Sequence, residues 1–282
     1  MTPAPTSQVA APPGGRLLAV AKRGAEFALW TRVACQRRIE TWRGVARVIP
    51  TAVAPTSVLQ TRAEAADALA QARQLRLPLH HDRVKNWDAL GALGAVLALA
   101  GRDGSLPERV MDAGSARYSP ILPWLRLYGL GGVAESLLGI NLEFGAPVHR
   151  DGVLFRYGDV TATGLPDGHL DAVTCMSVIE HGVPLVPFLA ESARILRPGG
   201  VLVVSTDYDQ SPPDTTGRTA YGVPVHIFSP EQIRAFVADA ATLGLDLVGD
   251  LSDEALAHPE RPCHWSRVGL DYTFILLTFR RR

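Results

Sequence analysis

Cysteine is nearly missing from this chain: Cys35, Cys175 and Cys263 are odd in number and far apart. Their spacing excludes a disulfide framework and a paired-thiolate metal site, and it suits a reducing compartment. Net charge is missing as well, with 28 basic side chains against 28 acidic ones, so electrostatics gives no reason to expect a nucleic-acid partner. No apolar run reaches membrane-spanning length. The longest, Leu90 to Ala100, contains two glycines and reads as a buried helix. Residues Met1 to Gly15 are rich in Pro, Ala and Thr and lack the apolar stretch of a secretory leader. They read as a disordered tail, and the chain as cytoplasmic.

What is present is an ordinary globular composition: 282 residues, 47% hydrophobic and 20% charged, enough for one large domain with an extension. The charge is unevenly placed. Arg16, Lys22, Arg23, Arg32, Arg37, Arg38, Arg43 and Arg47 face only Glu26 and Glu40 in the same segment. Between them Leu17, Val20, Phe27, Trp30, Val33, Ile39 and Trp42 recur at helical spacing, predicting one or two amphipathic helices. Such helices either pack on the rest of the chain or rest on an anionic membrane or a partner protein. Thr61 is placed to cap a helix over Arg62–Gln74, and Trp87 to Ala100 forms another. Residues 16–101 are therefore expected to be a helical extension.

From residue 102 to 282 short apolar runs alternate with helical stretches. Strands are predicted at Arg109–Asp112, Leu137–Leu142, Val153–Tyr157, Leu170–Met176, Val201–Thr206, Leu245–Val248 and Tyr272–Phe279. Helices are predicted at Pro120–Tyr128 with Ser119 as N-cap, at Leu185–Leu196, and at Pro230–Leu243 with Ser229 as N-cap. The fold class that follows is α/β: a Rossmann-like, doubly wound, mostly parallel seven-stranded sheet with helices on both faces, preceded by the helical extension.

Five motifs carry chemistry. A strand-turn-helix at Asp112-Ala113-Gly114-Ser115-Ala116 puts a glycine where a ligand would approach the backbone. Asn141 and Glu143 follow the second strand, and Asp159-Val160 follows the third. The segments Leu165 to His181 and Arg194 to Val204 hold a turn, an apolar strand ending in Ser177-Val178-Ile179-Glu180-His181, and a Leu196-Arg197-Pro198-Gly199-Gly200 turn before the next strand.

Taken in this order, the motifs resemble the class I S-adenosylmethionine-dependent methyltransferases, of the small-molecule, methyltransferase type 11 kind, over about Glu108 to Phe279. The resemblance implies S-adenosyl-L-methionine as cofactor. It places Asp112, Gly114, Ser115 and Ala116 at its methionine and ribose end, and Asn141 on the ribose hydroxyls with Leu142 beside the adenine. Asp159 would meet the adenine amine, Val160 would cover the ring, and Ser177 and Glu180 would face the transferred methyl group. Ala116 and Tyr118 stand where the family commonly has glycine, and Asn141 where it usually has an acid.

Methyl transfer to a hydroxyl needs a proton acceptor, for which His181 and His226 are the candidates; Asp207 and Tyr208 also fall near the crevice. The polar segment Asp207 to His226 is expected to recognise substrate, and Lys85-Asn86-Trp87-Asp88 to fold over the site as a lid. His80-His81-Asp82 reads as a surface loop and not as a metal site. The expected activity is methylation of a hydroxyl on a polar small molecule or glycan. The rival reading is a methyltransferase-like binding or scaffold module without catalysis, favoured by the changed glycine loop.

Overall fold

The computed structural model describes residues 13–102, 104–220 and 222–282, with side chains from Gly24 onward. Most of the tail expected over 1–15 therefore lies outside the described residues, and a helix is in place from Pro13. In chain order the first elements are α1 (Pro13–Arg43), β1 (Ser57–Val58), α2 (Arg62–Gln74) and α3 (Lys85–Leu99). Next come β2 (Val110–Ala113), α4 (Ile121–Leu127), β3 (Leu137–Asn141), β4 (Val148–Arg150), β5 (Val153–Tyr157) and β6 (Leu170–Met176). The remainder is α5 (Leu185–Ile195), β7 (Leu196–Tyr208), β8 (Thr219–Ala220), β9 (Val223–Pro224), α6 (Pro230–Thr242), β10 (Leu245–Leu247), α7 (Asp253–Leu256), β11 (Cys263–Trp265) and β12 (Leu270–Arg281).

The main sheet has ten strands in the order β1-β12-β7-β6-β2-β3-β5-β4, with β10 and β11 each paired to part of β12. All seven expected strands are in it. The other three, β1, β4 and β11, are two or three residues long and antiparallel to their neighbours. The run β7-β6-β2-β3-β5 is parallel and β12 closes it antiparallel. From β2 the chain winds outward through β3 to β5, then returns to the other side of β2 at β6 and continues to β7. The carboxyl ends of β2 and β6 thus flank a topological switch point, where open α/β sheets leave a crevice.

Buried apolar clusters cover both faces. One joins α3 and α4 to the sheet through Trp87, Leu93, Trp124, Phe155, Val203 and Leu276. On the other face, Phe188 and Ile195 of α5 and Phe236 of α6 pack on Val173, Leu202 and Leu277. Helix α3 is buried from Asn86 to Leu97, and a Cβ on Gly94 would stand 2.8 Å from the Pro50 carbonyl oxygen. The glycine lets the helix lie against the 50–53 segment. The boundary expected at residue 101 therefore falls inside one continuous core, which α3 helps to build.

Local signals explain several helix ends. Thr61 accepts from the Glu64 N–H. At α6 Ser229 accepts from the Gln232 N–H while Gln232 Oε1 accepts from the Ser229 N–H, a reciprocal cap. Ser229→Ala should destabilise the protein by about 1 kcal/mol, read as a lower denaturation midpoint at unchanged slope. The cap expected at Ser119 is not made: Pro120 occupies the N-cap of α4, and Ser119 Oγ instead accepts from the Ala116 N–H at 3.3 Å. Likewise the turn expected at Arg197 to Gly200 is taken into β7, which pairs from Leu196 across an irregularity opposite Leu170 and Ala172.

Candidate functional site

The chain leaves β2 at Asp112-Ala113 and turns at Gly114, whose φ is +76°. The turn is pinned against β3: the Ser115 N–H donates to the Ile140 carbonyl at 2.9 Å. Asn141 Nδ2 donates to the carbonyls of Gly114 (3.2 Å) and Ser115 (3.0 Å), and Asn141 Oδ1 accepts from the Glu143 N–H at 2.8 Å. Beneath the turn Asp112 is buried and accepts from Thr174 Oγ at 2.8 Å. Burial pushes its carboxyl up to about 6, against the pull of the Ser115 and Thr174 hydroxyls.

At the switch point this turn opens into a cleft of about 340 Å³. Its floor and walls come from Gly114, Met176, Ser177, Glu180, His181 and Asp207, at the carboxyl ends of β2, β6 and β7. Lys85 and Asp88 of α3, His80 to Asp82 before it, and His264, Trp265 and Tyr272 of the β11–β12 hairpin complete the enclosure. Ser177 has a φ of +52°, and its Oγ is buried without a hydrogen-bond partner. A non-glycine residue held in the left-handed region beside an unpaired hydroxyl marks stored strain at this position.

The cleft is walled by an uncommon set of charges. Asp88, Glu180 and Asp207 are all buried, and Lys85 stands among them. Ser205 Oγ donates to Asp88 at 2.7 Å and Thr206 Oγ to Glu180 at 3.1 Å. Burial raises the Asp88 carboxyl to about 6 and that of Glu180 to about 7, with Lys85 opposing both. Asp207 is pushed well above the carboxylate range by burial and then by Glu180. Burial alone would lower the Lys85 ammonium, but Asp88, Asp207 and Glu180 outweigh it and raise it. His181 is lowered by burial and by Lys85. His80 falls to about 4 through burial, His81 and Lys85.

Of the residues expected from sequence, the cleft brings together Gly114, Ala116, Ser177, Glu180 and His181. Asp112 and Ser115 lie buried under the turn. Asn141, Leu142, Asp159 and Val160 lie outside the cleft, at the carboxyl ends of β3 and β5. The Asn141 side chain, expected on the ribose hydroxyls, has its amide engaged by backbone groups of the turn. Asp159 uses Oδ1 to accept from the Thr161 N–H (2.8 Å) and Oγ (2.7 Å), while Oδ2 has no described partner. His226 does not line the cleft with His181; it lines a second depression with Val183, Phe228 and Phe236, which Glu180 borders as well, and stands edge-on to the Phe228 ring.

The polar segment after β7 also turns away from the cleft. Asp209 is bound by Arg261 at 2.5 and 2.9 Å, and Arg218 donates to the Val268 carbonyl. Sequence reasoning took Lys85 and Asp88 for a lid and passed over Tyr272 and His264. The available signal was a lysine and an aspartate one turn apart at the head of an otherwise apolar helix, since buried charges need partners. His80-His81-Asp82 borders the cleft, and no group of three or more His, Cys, Asp or Glu placed to hold a metal ion occurs among the described residues.

Fold and site together define a Rossmann-like α/β domain with an acid-lined cleft at its switch point. Residues 125–204, from α4 to β7, match the family model described as a methyltransferase domain. A protein named as a probable S-adenosylmethionine-dependent methyltransferase, from Mycolicibacterium smegmatis, is 36% identical over 78 residues. That stretch is 26% of this chain, and the chain spans only 30% of the length of that curated relative. Among solved structures, geranyl diphosphate C-methyltransferase from Streptomyces coelicolor shares 16% identity over 88% of this chain and 98% of its own, with a TM-score of 0.49. An S-adenosylmethionine-dependent methyltransferase from Mesorhizobium loti shares 17% over 69% and 98%, with a TM-score of 0.46. The resemblance read from the sequence thus holds for the segment that contains the Glu180-His181 and Pro198-Gly199-Gly200 motifs.

Proposed function

We propose that this protein transfers a methyl group from S-adenosyl-L-methionine to a small-molecule acceptor held in the cleft. The observation that carries the reading is the Gly114 turn at the switch point, opening beside the unpaired Ser177 hydroxyl into a cavity of ligand size. The residues present fit the cofactor. The Gly114 backbone lines the methionine end, and Asp159 has a carboxylate oxygen left for the adenine amine. Leu142, 62% exposed, offers an apolar surface to the ring, with Val160 on the other side. Glu143, exposed just past β3, takes the ribose hydroxyls in place of Asn141.

When bound, the cofactor supplies an electrophilic methyl on a sulfonium. The chain holds the acceptor in line and keeps water out, which by itself lowers the barrier substantially. A hydroxyl acceptor gives its proton to Glu180, whose raised carboxyl is poised near neutrality, with His181 on the same wall. The acceptor is a polar molecule whose hydroxyl or other donor group meets the carboxylates, consistent with the polar hydroxyl or glycan expected from sequence.

Ala116 and Tyr118 line the cleft, and neither adopts a left-handed backbone. Neither position therefore demands glycine for its backbone conformation, which supports the enzyme reading over a scaffold without catalysis. Calorimetric titration with S-adenosylmethionine and S-adenosylhomocysteine tests the reading. Binding at micromolar ligand is expected, and Asp159→Ala should weaken it about tenfold, the worth of one hydrogen bond to a charged group. No heat of binding up to millimolar ligand would overturn the proposal.

A further inference from the structure

Helix α1 and the segment after it expose a surface that the cleft does not use. Over residues 16–47 the only acids are Glu26 and Glu40, and both turn inward. Glu26 is 7% exposed and accepts from Arg150 at 2.9 Å; Glu40 is 9% exposed and accepts from Arg47 at 2.6 and 2.9 Å. Arg37, on the same side, pairs with Asp151 at 2.8 Å. Trp30 fixes the orientation by packing edge-on against Phe155 and donating to the Arg117 carbonyl. The inward face is thus electrically paired within the protein.

The outward face differs in kind. Phe27 is 72% exposed, Ile39 51% and Trp42 83%, and the apolar surface continues through Val45, Val48 and Ile49. Arg32, Arg38 and Arg43 are exposed among them and have no described ion-pair partner. At about 100° per residue, Phe27, Arg38, Trp42, Ile39, Arg32 and Arg43 fall on one arc of roughly 160°. That arc carries aromatic and aliphatic side chains, cations and no carboxylate.

We propose that this face of α1, with the 45–49 segment, docks on an anionic phospholipid surface. An aromatic and aliphatic stripe flanked by arginines is what an interfacial helix presents to acyl chains below and phosphates around it. A second copy of the same face would set Arg32, Arg38 and Arg43 near their own counterparts with no acid to offset them, so self-association is disfavoured by charge. No helix among the described residues is long and apolar enough to cross a membrane; the contact is peripheral. It does not depend on the methyl-transfer reading.

Sedimentation of the full chain with phosphatidylcholine vesicles containing about 30% phosphatidylglycerol, against phosphatidylcholine alone, tests the proposal. Binding at least tenfold stronger to the anionic vesicles is expected, weakening as salt is raised, with a blue shift of tryptophan emission that Trp42→Ser removes. Phe27→Ser/Trp42→Ser and Arg32→Glu/Arg38→Glu/Arg43→Glu should each abolish sedimentation while leaving the thermal midpoint and S-adenosylhomocysteine binding unchanged. The idea fails if anionic vesicles do not bring the protein down, or if both variants bind as well as the parent chain. It fails equally if the face instead mediates a dimer, seen as a mass by light scattering that falls in the same variants.

Discussion

Lys85→Met should cost about 3 kcal/mol or more of stability at about pH 8 and far less at about pH 5. The substitution keeps the length of the stem and removes the cation that faces three buried carboxyl groups. These come from different elements: Asp88 from α3, Glu180 from the turn after β6, and Asp207 from β7, which Tyr272 of β12 also meets. Asp88 and Glu180 have folded values of about 6 and about 7, above their ordinary 3.8 and 4.5. A carboxyl raised on folding contributes stability below its unfolded value and loses that contribution as pH climbs through the folded value. The cluster therefore weakens the fold between about pH 4 and about pH 7, and Lys85 limits the loss by stabilising the charged forms. Without Lys85 the folded values move higher, so the penalty grows over the same rise. Urea denaturation of both proteins across this range measures it. An equal difference at acidic and alkaline pH would show that the carboxyl groups are not coupled to Lys85.

Gly114→Ala should reduce affinity for S-adenosylhomocysteine about thirtyfold, equivalent to roughly 2 kcal/mol. Two costs combine. A Cβ at φ +76° is strained by about 1–2 kcal/mol, and it would stand 2.5 and 2.6 Å from the γ carbons of Val178. Relief requires the Val178 segment to move, and Ser177, Glu180 and His181 move with it. Combining Gly114→Ala with Val178→Ala should restore part of the affinity, because the clash is relieved while the backbone strain persists. Calorimetry on the single and double variants reads both effects. Unchanged affinity in the single variant would mean that the turn does not line the cofactor.

The parts of this protein that sequence made legible were those whose cause is local. Strands β5 and β6 have the bounds expected from sequence, because a short, mainly apolar run between turn residues is a signal carried by neighbouring positions. The caps at Thr61 and Ser229 were legible for the same reason, each made by a side chain and an N–H three residues on. Strands β1, β4 and β11 were not legible, since two or three residues carry no periodicity and exist as strands only through β12 or β5. The site divided along the same line. Gly114, Ser177, Glu180 and His181 sit in motifs with a recognisable local order, and the fold brings them to one cleft. The partners of the Asn141 amide were not legible, because they are carbonyls 26 and 27 residues earlier.

Sequence by itself determined the α/β class, the positions of the seven main strands along the chain, and the Gly114 turn where a ligand would approach the backbone. These follow from apolar periodicity, caps and turns, which act over a few residues. Only the tertiary structure decided what the buried helix α3 packs against, and that it brings Lys85 and Asp88 into the cleft. It alone separated His226 from His181 and turned both acids of α1 inward, leaving arginines and a bare apolar stripe outside. Charge and burial depend on what lies across space, and the partners of these groups are distant in the chain: Asp88 meets Ser205 from 117 residues away, and Glu26 meets Arg150 from 124.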